Sequence, residues 1–160
     1  MQAGSDKQRC IFCEAAASST ADDTNLVIHR GSLCFIILNR YPYTSGHLMI
    51  APYEHVSRLS AAHESTSEEM MRLERRAEEI LQAVYNPDGL NLGMNLGEAA
   101  GAGIEQHIHL HVLPRWRGDA NFMSIVGHTR IIPEALEDTY AKLKGRFVSP
   151  DAPEFANRHP

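Results

Sequence analysis

The chain has no apolar run approaching the length needed to cross a membrane, and its first residues, Met1 to Arg9, lack the apolar stretch that directs secretion. The expected compartment is therefore the cytoplasm, with no membrane partner. Positive charge is also short: 15 Lys and Arg stand against 20 Asp and Glu, a formal charge of -5 at neutral pH. A duplex nucleic-acid surface calls for a basic stripe, so that class of partner is not expected, although local donors can still hold a nucleotide on an acidic protein. Three cysteines in a cytoplasmic chain do not make a disulfide framework. No internal repeat or linker divides the 160 residues, which are 43% hydrophobic, enough for one domain with a sizeable core. The expected boundaries are a flexible 1–9, a single domain over 10–147 and an irregular tail over 148–160.

Hydrophobic periodicity predicts an α+β fold. Leu26–His29 and Leu33–Leu38 read as strands about an Arg30-Gly31-Ser32 turn, and His47–Ala51 as a third strand ended by Pro52. From Thr66 to Tyr85, Met70, Leu73, Ala77, Ile80, Leu81 and Val84 recur at intervals of three or four among charged residues. That spacing predicts a long amphipathic helix, opened by a Thr66-x-x-Glu69 capping box and closed before Asn86-Pro87-Asp88-Gly89. Leu90–Leu96 alternates as a strand, and the small-residue loop Gly97–Gly103 returns the chain into the next one. A shorter helix is expected from Pro133-Glu134 to about Leu143.

The most informative segment is Gln106-His107-Ile108-His109-Leu110-His111-Val112-Leu113-Pro114-Arg115. Side chains alternate faces along a strand, so His107, His109 and His111 line one surface while Ile108, Leu110 and Val112 line the other. Such a row suits two chemistries. It could supply metal ligands, or it could present one imidazole as a nucleophile with neighbours that fix its tautomer and handle protons. The central His109 is the candidate nucleophile.

The motif His-apolar-His-apolar-His followed by two apolar residues resembles the signature of the histidine-triad superfamily of nucleotide hydrolases and transferases. The resemblance extends over roughly residues 10–145, through Cys10-Ile11-Phe12-Cys13, Leu38-Asn39-Arg40-Tyr41-Pro42 and Gly46-His47-Leu48-Met49-Ile50-Ala51-Pro52. Downstream, Pro114-Arg115-Trp116-Arg117-Gly118-Asp119-Ala120-Asn121-Phe122 is more similar to the dinucleoside polyphosphate hydrolase and diadenosine tetraphosphate phosphorylase branch than to the small phosphoramidase branch. The resemblance implies a histidine-triad fold, an antiparallel sheet with one long amphipathic helix and a shorter C-terminal helix, assembled as a homodimer.

It also implies roles. His109 matches the residue that attacks the α-phosphorus to give a nucleotidyl-histidine; His111 matches the imidazole near the leaving bridge, and His47 a histidine supporting it. Asn39 matches a ribose-binding residue and Asn95 an amide near the α-phosphate. Gly101 and Gly103 could bring backbone N–H groups to phosphate oxygens, though relatives often place Gln, Ser or Thr where this chain has Gly103-Ile104. Arg115 and Arg117 could extend along distal phosphates or simply face solvent, and Trp116 could stack on a base or pack on the sheet.

Cys10-x-x-Cys13 permits a redox pair, a disulfide or half of a zinc site. The resemblance implies the last, with His55 and His107 completing a structural Zn2+ site, no organic cofactor, and His109 and His111 left metal-free. Cys34, within a strand, reads as a small buried residue. Three classes follow: a nucleotidyl hydrolase or transferase acting on dinucleoside polyphosphates or a nucleoside phosphoramidate, a purine-nucleotide-binding regulatory protein, and a metal-dependent enzyme using the triad as ligands; the expected partner is a purine mononucleotide or a dinucleoside polyphosphate.

Overall fold

The computed structural model describes residues 10–119 and 134–147. The expected segments 1–9 and 148–160, the helix start at Pro133, and Ala120 to Phe122 of the downstream motif lie outside them. Among the described residues the elements are α1 (Ile11–Ala17), β1 (Val27–Arg30), β2 (Cys34–Leu38), β3 (Leu48–Pro52), α2 (Glu64–Tyr85), β4 (Gly89–Gly93), β5 (Leu110–Arg115) and α3 (Leu136–Phe147). The strands form one antiparallel sheet in the order β1-β2-β3-β5-β4. This is the expected α+β architecture with one long and one shorter C-terminal helix.

Helices cover both faces of the sheet centre. On one face Ile28, Ile36, Leu38, Leu48, Ile50 and the triad's Ile108, Leu110 and Val112 meet Met70, Leu73, Ala77, Ile80 and Leu81 of α2 and Leu143 and Phe147 of α3. On the other, Val27, Phe35, Ile37, Met49 and Ala51 meet Cys10, Phe12 and Ala15 at α1. Double coverage explains why β2 and β3 are continuous apolar runs with every residue buried, rather than alternating ones. The methionine of the α2 core, Met70, is 1% exposed, and Cys34 is fully buried with its thiol pushed up to about 12 by burial, as expected for an inert packing residue.

The capping box of α2 does not form. The helix begins at Glu64, capped by His63, whose Nδ1 accepts the Ser65 N–H at 3.3 Å. Thr66 is buried in the first turn, and the Glu69 carboxylate accepts the backbone N–H groups of Leu33 at 3.1 Å and Cys34 at 3.4 Å instead. The β1–β2 hairpin had competed for that carboxylate with the helix terminus. Gly31 is part of the arrangement, since any side chain there would collide with Glu69 Oε1. Glu69→Ala is expected to destabilise the protein by about 1–3 kcal/mol, because it leaves the partly buried Leu33 N–H and the buried Cys34 N–H without their acceptor. Urea unfolding measures this, and a loss below about 0.5 kcal/mol would show that the hairpin does not depend on the contact.

At its other end α2 stops as expected, with Asn86 in the left-handed region (φ 44°) donating its N–H to Gln82 O. Other boundaries shift: β1 and β3 each run one residue later than expected, so that Pro52 closes β3 from within, β2 starts one residue later and β4 one residue earlier. β4 ends at Gly93 rather than Leu96, and α3 runs on to Phe147 because Leu143 and Phe147, one turn apart, both reach the core. The helix α1 was not expected. Seven residues cannot sustain a helix by local propensity, and this one is held by the buried Phe12 and Ala15 and by the Arg30 guanidinium, which donates to the carbonyls of Ala15, Ala16 and Ser18 at 2.6–3.2 Å.

Candidate active site and metal cluster

The regular ladder of β5 starts at Leu110, so His107 and His109 precede the paired strand. The alternation nevertheless continues through them, fixed by the Ile108 N–H, which donates to Val56 O at 2.8 Å. Ile108, Leu110 and Val112 enter the α2 core while the three imidazoles lie on the α1 side, all at most 8% exposed. Phe12 of α1 packs against them, its ring 5.2 Å from that of His107 and 4.8 Å from that of His109.

Hydrogen bonds then assign the tautomers. His109 Nδ1 lies 2.9 Å from the His107 carbonyl, which only accepts, so Nδ1 carries the proton and Nε2 keeps its lone pair. The Tyr43 N–H donates to His47 Nδ1 at 3.1 Å, which places the His47 proton on Nε2. That proton is donated to His111 Nδ1 at 2.9 Å, leaving His111 with its own proton on Nε2. Backbone, His47 and His111 thus form a directional relay ending in an N–H donor beside a free nitrogen lone pair; the rings of His109 and His111 are 4.8 Å apart. The relay closes because β3 and β5 are neighbours, with Met49 opposite His111. The turn before His47 is tight: Gly46 has φ +76° and lies against Tyr85, Leu81 and Pro114, so no other residue fits there.

Burial disfavours the charged forms of His109 and His111. It lowers His109 below its ordinary value, against the opposing pull of the His107 carbonyl, and lowers His111 to about 4, with the charge of His109 adding to the effect. For His111 the linkage is explicit: the unfolded chain takes up a proton near 6.5 and the folded one only near 4, so its contribution to stability is present above 6.5 and is lost as pH falls from 6.5 towards 4. We expect His111 to contribute up to about 1.4 kcal/mol per pH unit to the fall in unfolding free energy across that window, and His111→Asn to remove that share of the slope. Equal slopes in both proteins would reject the assignment.

A cavity of about 360 Å³ adjoins the relay. Its walls include Ile11 and Ala15 of α1, Leu26, Ile37, Asn39 and Met49, apolar surfaces with a polar edge. Asn39 accepts the Tyr41 N–H at 2.9 Å, and its amide nitrogen lies 3.4 Å from His47 Nδ1, joining the cavity to the relay. Asn95 reaches across the small-residue loop to the Gly101 carbonyl at 3.5 Å. Gly101 (φ +81°) and Gly103 are exposed with open space about them. Arg115 is held by Asp119, at 2.6 and 2.7 Å, and by Asn91 at 2.6 Å, while the exposed Arg117 donates its backbone N–H to Asp88. The Trp116 ring meets Tyr85 edge-on at 6.5 Å.

Cys10, Cys13, His55 and His107 converge on the other side of Phe12, with one ligand atom from each and all four within 4.8 Å of one another. Cys13 Sγ is 3.1 Å from His55 Nδ1, and Cys10 Sγ is 3.4 Å from His107 Nδ1. A tetrahedral ion bound at usual Zn–S and Zn–N lengths separates its ligands by about 3.3–3.8 Å, so the four need only small shifts to hold a metal. His107 Nε2 donates to the Pro52 carbonyl at 2.9 Å, which turns Nδ1 toward the thiols and supplies the second-shell bond that metal-binding imidazoles need. Burial pushes His107 down to about 4, keeping its lone pair available.

Sequence reasoning did not identify Phe12, Tyr43 or the α1 wall of the cavity. The spacing of the buried Phe12 and Ala15, three apart, was the only local signal of that wall.

Comparison with known proteins comes to the same place. A model of the HIT domain matches residues 20–118. The AP-4-A phosphorylase of Mycobacterium tuberculosis is 44% identical over 119 residues, which are 74% of this chain and 61% of that protein. This chain therefore spans less than two thirds of that relative. The asymmetrical bis(5′-nucleosyl)-tetraphosphatase of Schizosaccharomyces pombe is 27% identical over 93 residues, 58% of this chain and 50% of that protein. Among solved structures, a Zn-bound histidine triad family protein from Mycobacterium smegmatis superposes with a TM-score of 0.69 at 26% identity, covering 88% of this chain and 94% of that one.

Proposed function

The chain belongs to the HIT domain family, and from that premise we propose that it cleaves dinucleoside polyphosphates at an α-phosphate by way of a nucleotidyl-His109 intermediate. The observation that carries this reading is the pairing of a free His109 Nε2 lone pair with an N–H donor on His111 Nε2, both fixed by the hydrogen bonds behind them. His109 Nε2 attacks the α-phosphorus, and the bond from phosphorus to the bridging oxygen breaks. The leaving polyphosphate takes the electron pair, its oxygen stabilised by the His111 N–H. The adduct is cationic, with the Nδ1 proton held by the His107 carbonyl, so its P–N bond breaks readily when an acceptor attacks phosphorus and neutral His109 is restored.

The cavity beside Asn39 suits the purine nucleoside, with Asn39 toward the ribose and Asn95, Gly101 and Gly103 toward the phosphates. Arg115 and Arg117 are assigned to the distal phosphates; for Arg115 this means exchanging Asp119 for phosphate. The Cys10, Cys13, His55 and His107 cluster suits Zn2+, which when bound supplies a structural cross-link and no reaction step. No helix among the described residues is long and apolar enough to cross a membrane. A homodimer is supported by the position of β4 at the edge of the sheet among the described residues, with Leu92 half-exposed, and by Met71 outward on α2. Light scattering that finds only monomer at working concentration would reject it.

The function is tested by incubating purified protein with diadenosine tetraphosphate, with and without inorganic phosphate, and identifying the products. ADP with ATP only when phosphate is present indicates phosphorolysis, as the 44%-identical relative's name suggests; AMP with ATP indicates hydrolysis. Turnover of an adenosine phosphoramidate alone would move the chain to the other branch, and binding without turnover would leave a regulatory nucleotide-binding protein.

A further inference from the structure

We propose that the four-ligand metal cluster is a clamp on the nucleotide pocket: metal bound by Cys10, Cys13, His55 and His107 and nucleotide bound in the adjoining cavity strengthen each other through α1. The inference rests on the reading of that cavity as the nucleoside site. It follows from how α1 is held. The helix has seven residues and no side-chain N-cap, so it has little stability of its own. Both thiols lie at its start, Cys10 as the N-cap residue and Cys13 in the first turn, while Ile11, Glu14 and Ala15 face the cavity. Phe12 projects between the two sites onto the rings of His107 and His109.

The other two ligands belong to the body of the protein. His55 follows β3, and His107 leads into β5, so a metal on all four ties the start of α1 to the end of the sheet. The far end of α1 has a strong polar anchor, the Arg30 guanidinium on its last carbonyls. At the near end, beside the packing of Phe12, the thiols make thiol–imidazole contacts of 3.1–3.6 Å, weak bonds beside metal–thiolate coordination. His107 has a second connection, because its ring belongs to the cluster and its carbonyl holds His109 Nδ1. A cluster that loosens therefore releases one wall of the cavity and unsettles the nucleophile together. Energetic coupling between two bound ligands is reciprocal, so nucleotide must tighten metal by the factor with which metal tightens nucleotide.

The test uses the intact chain with zinc and AMP as probes. Calorimetry should show AMP binding weakened about tenfold when zinc is removed by chelation, within the usual range of such couplings. Amide exchange should accelerate over Ile11–Ala17 and remain slow in β2 and β3. Competition of the zinc-loaded protein with a chromophoric chelator should show zinc held about tenfold more tightly when AMP is present, a measurement that never requires the metal-free form to stay folded. His55→Asn, which removes a ligand outside α1, should reproduce the effect of chelation on AMP. Equal zinc affinity with and without AMP, or equal AMP affinity with and without zinc, would overturn the clamp while leaving the nucleotide site in place. Failure to take up zinc would do the same. Absence of AMP binding in both forms would overturn the clamp and the nucleotide reading together.

Discussion

Under the proposed covalent mechanism, His109→Ala is expected to reduce dinucleotide turnover by about 10⁴-fold or more while leaving nucleotide affinity within a few-fold of the original. The large loss follows from the chemistry, since alanine offers no atom to carry the nucleotidyl group and the remaining donors can only assist a direct attack by water or phosphate. The small change in affinity follows from the architecture: the cavity walls come from α1, β2, β3 and the segments beside them, and His109 is not among the residues that line them. Rapid quench with labelled substrate should reveal an acid-labile adduct in the original protein and none in the variant. Turnover by His109→Ala within tenfold of the original would sink the covalent mechanism whatever the fold.

The second large effect is expected one residue removed from the reaction. His47→Ala should lower kcat by about 10²–10³-fold without removing any group that touches phosphorus. His47 carries the information that sets the His111 tautomer: its Nδ1 is occupied by the Tyr43 N–H, so Nε2 must donate, and His111 is left with an Nε2–H that the proposed mechanism directs to the leaving oxygen. With His47 gone, His111 Nδ1 can take the proton and Nε2 becomes an acceptor facing a phosphate oxygen, a repulsive contact. The direction of the relay predicts a rescue. His47→Gln retains an N–H donor on a side chain of comparable reach and should recover at least tenfold over alanine, whereas His47→Glu places an acceptor against His111 Nδ1 and should not. A shared loss in all three variants, with unchanged unfolding midpoints, would mean that His47 acts through something other than proton placement.

Much of this site was legible because its signals are periodic. The spacing of two in His107, His109 and His111 and the spacing of three and four through α2 each encode a surface, and both surfaces are where the pattern put them. Cys10, Cys13, His55 and His107 were legible through resemblance, and they converge on one point. What was not legible depends on contacts distant in sequence. Glu69 matched a capping box in chemistry and position, yet 36 residues separate it from the Leu33 N–H it serves, and nothing in the local pattern announces that competition. Phe12 and Tyr43 are single aromatics, which carry no period. The helix α1 is too short for one, and its stability comes almost wholly from what it packs against. Strand ends moved by one to three residues because pairing, rather than propensity, decides where a ladder stops.

The hydrogen bond between His47 and His111 spans 64 positions of the chain, from the start of β3, across the whole of α2, to β5. β1, β2 and β3 are joined by short connections and can pair locally, whereas β3 and β5 meet only after a large loop has closed, the step that costs entropy before any contact rewards it. The imidazole relay is therefore a property of the completed chain trace. A folding intermediate that has formed the first three strands and α2 holds most of the hydrophobic core and leaves the tautomer of His111 unset. Activity recovered during refolding should lag behind helical signal, with no partly active species in between.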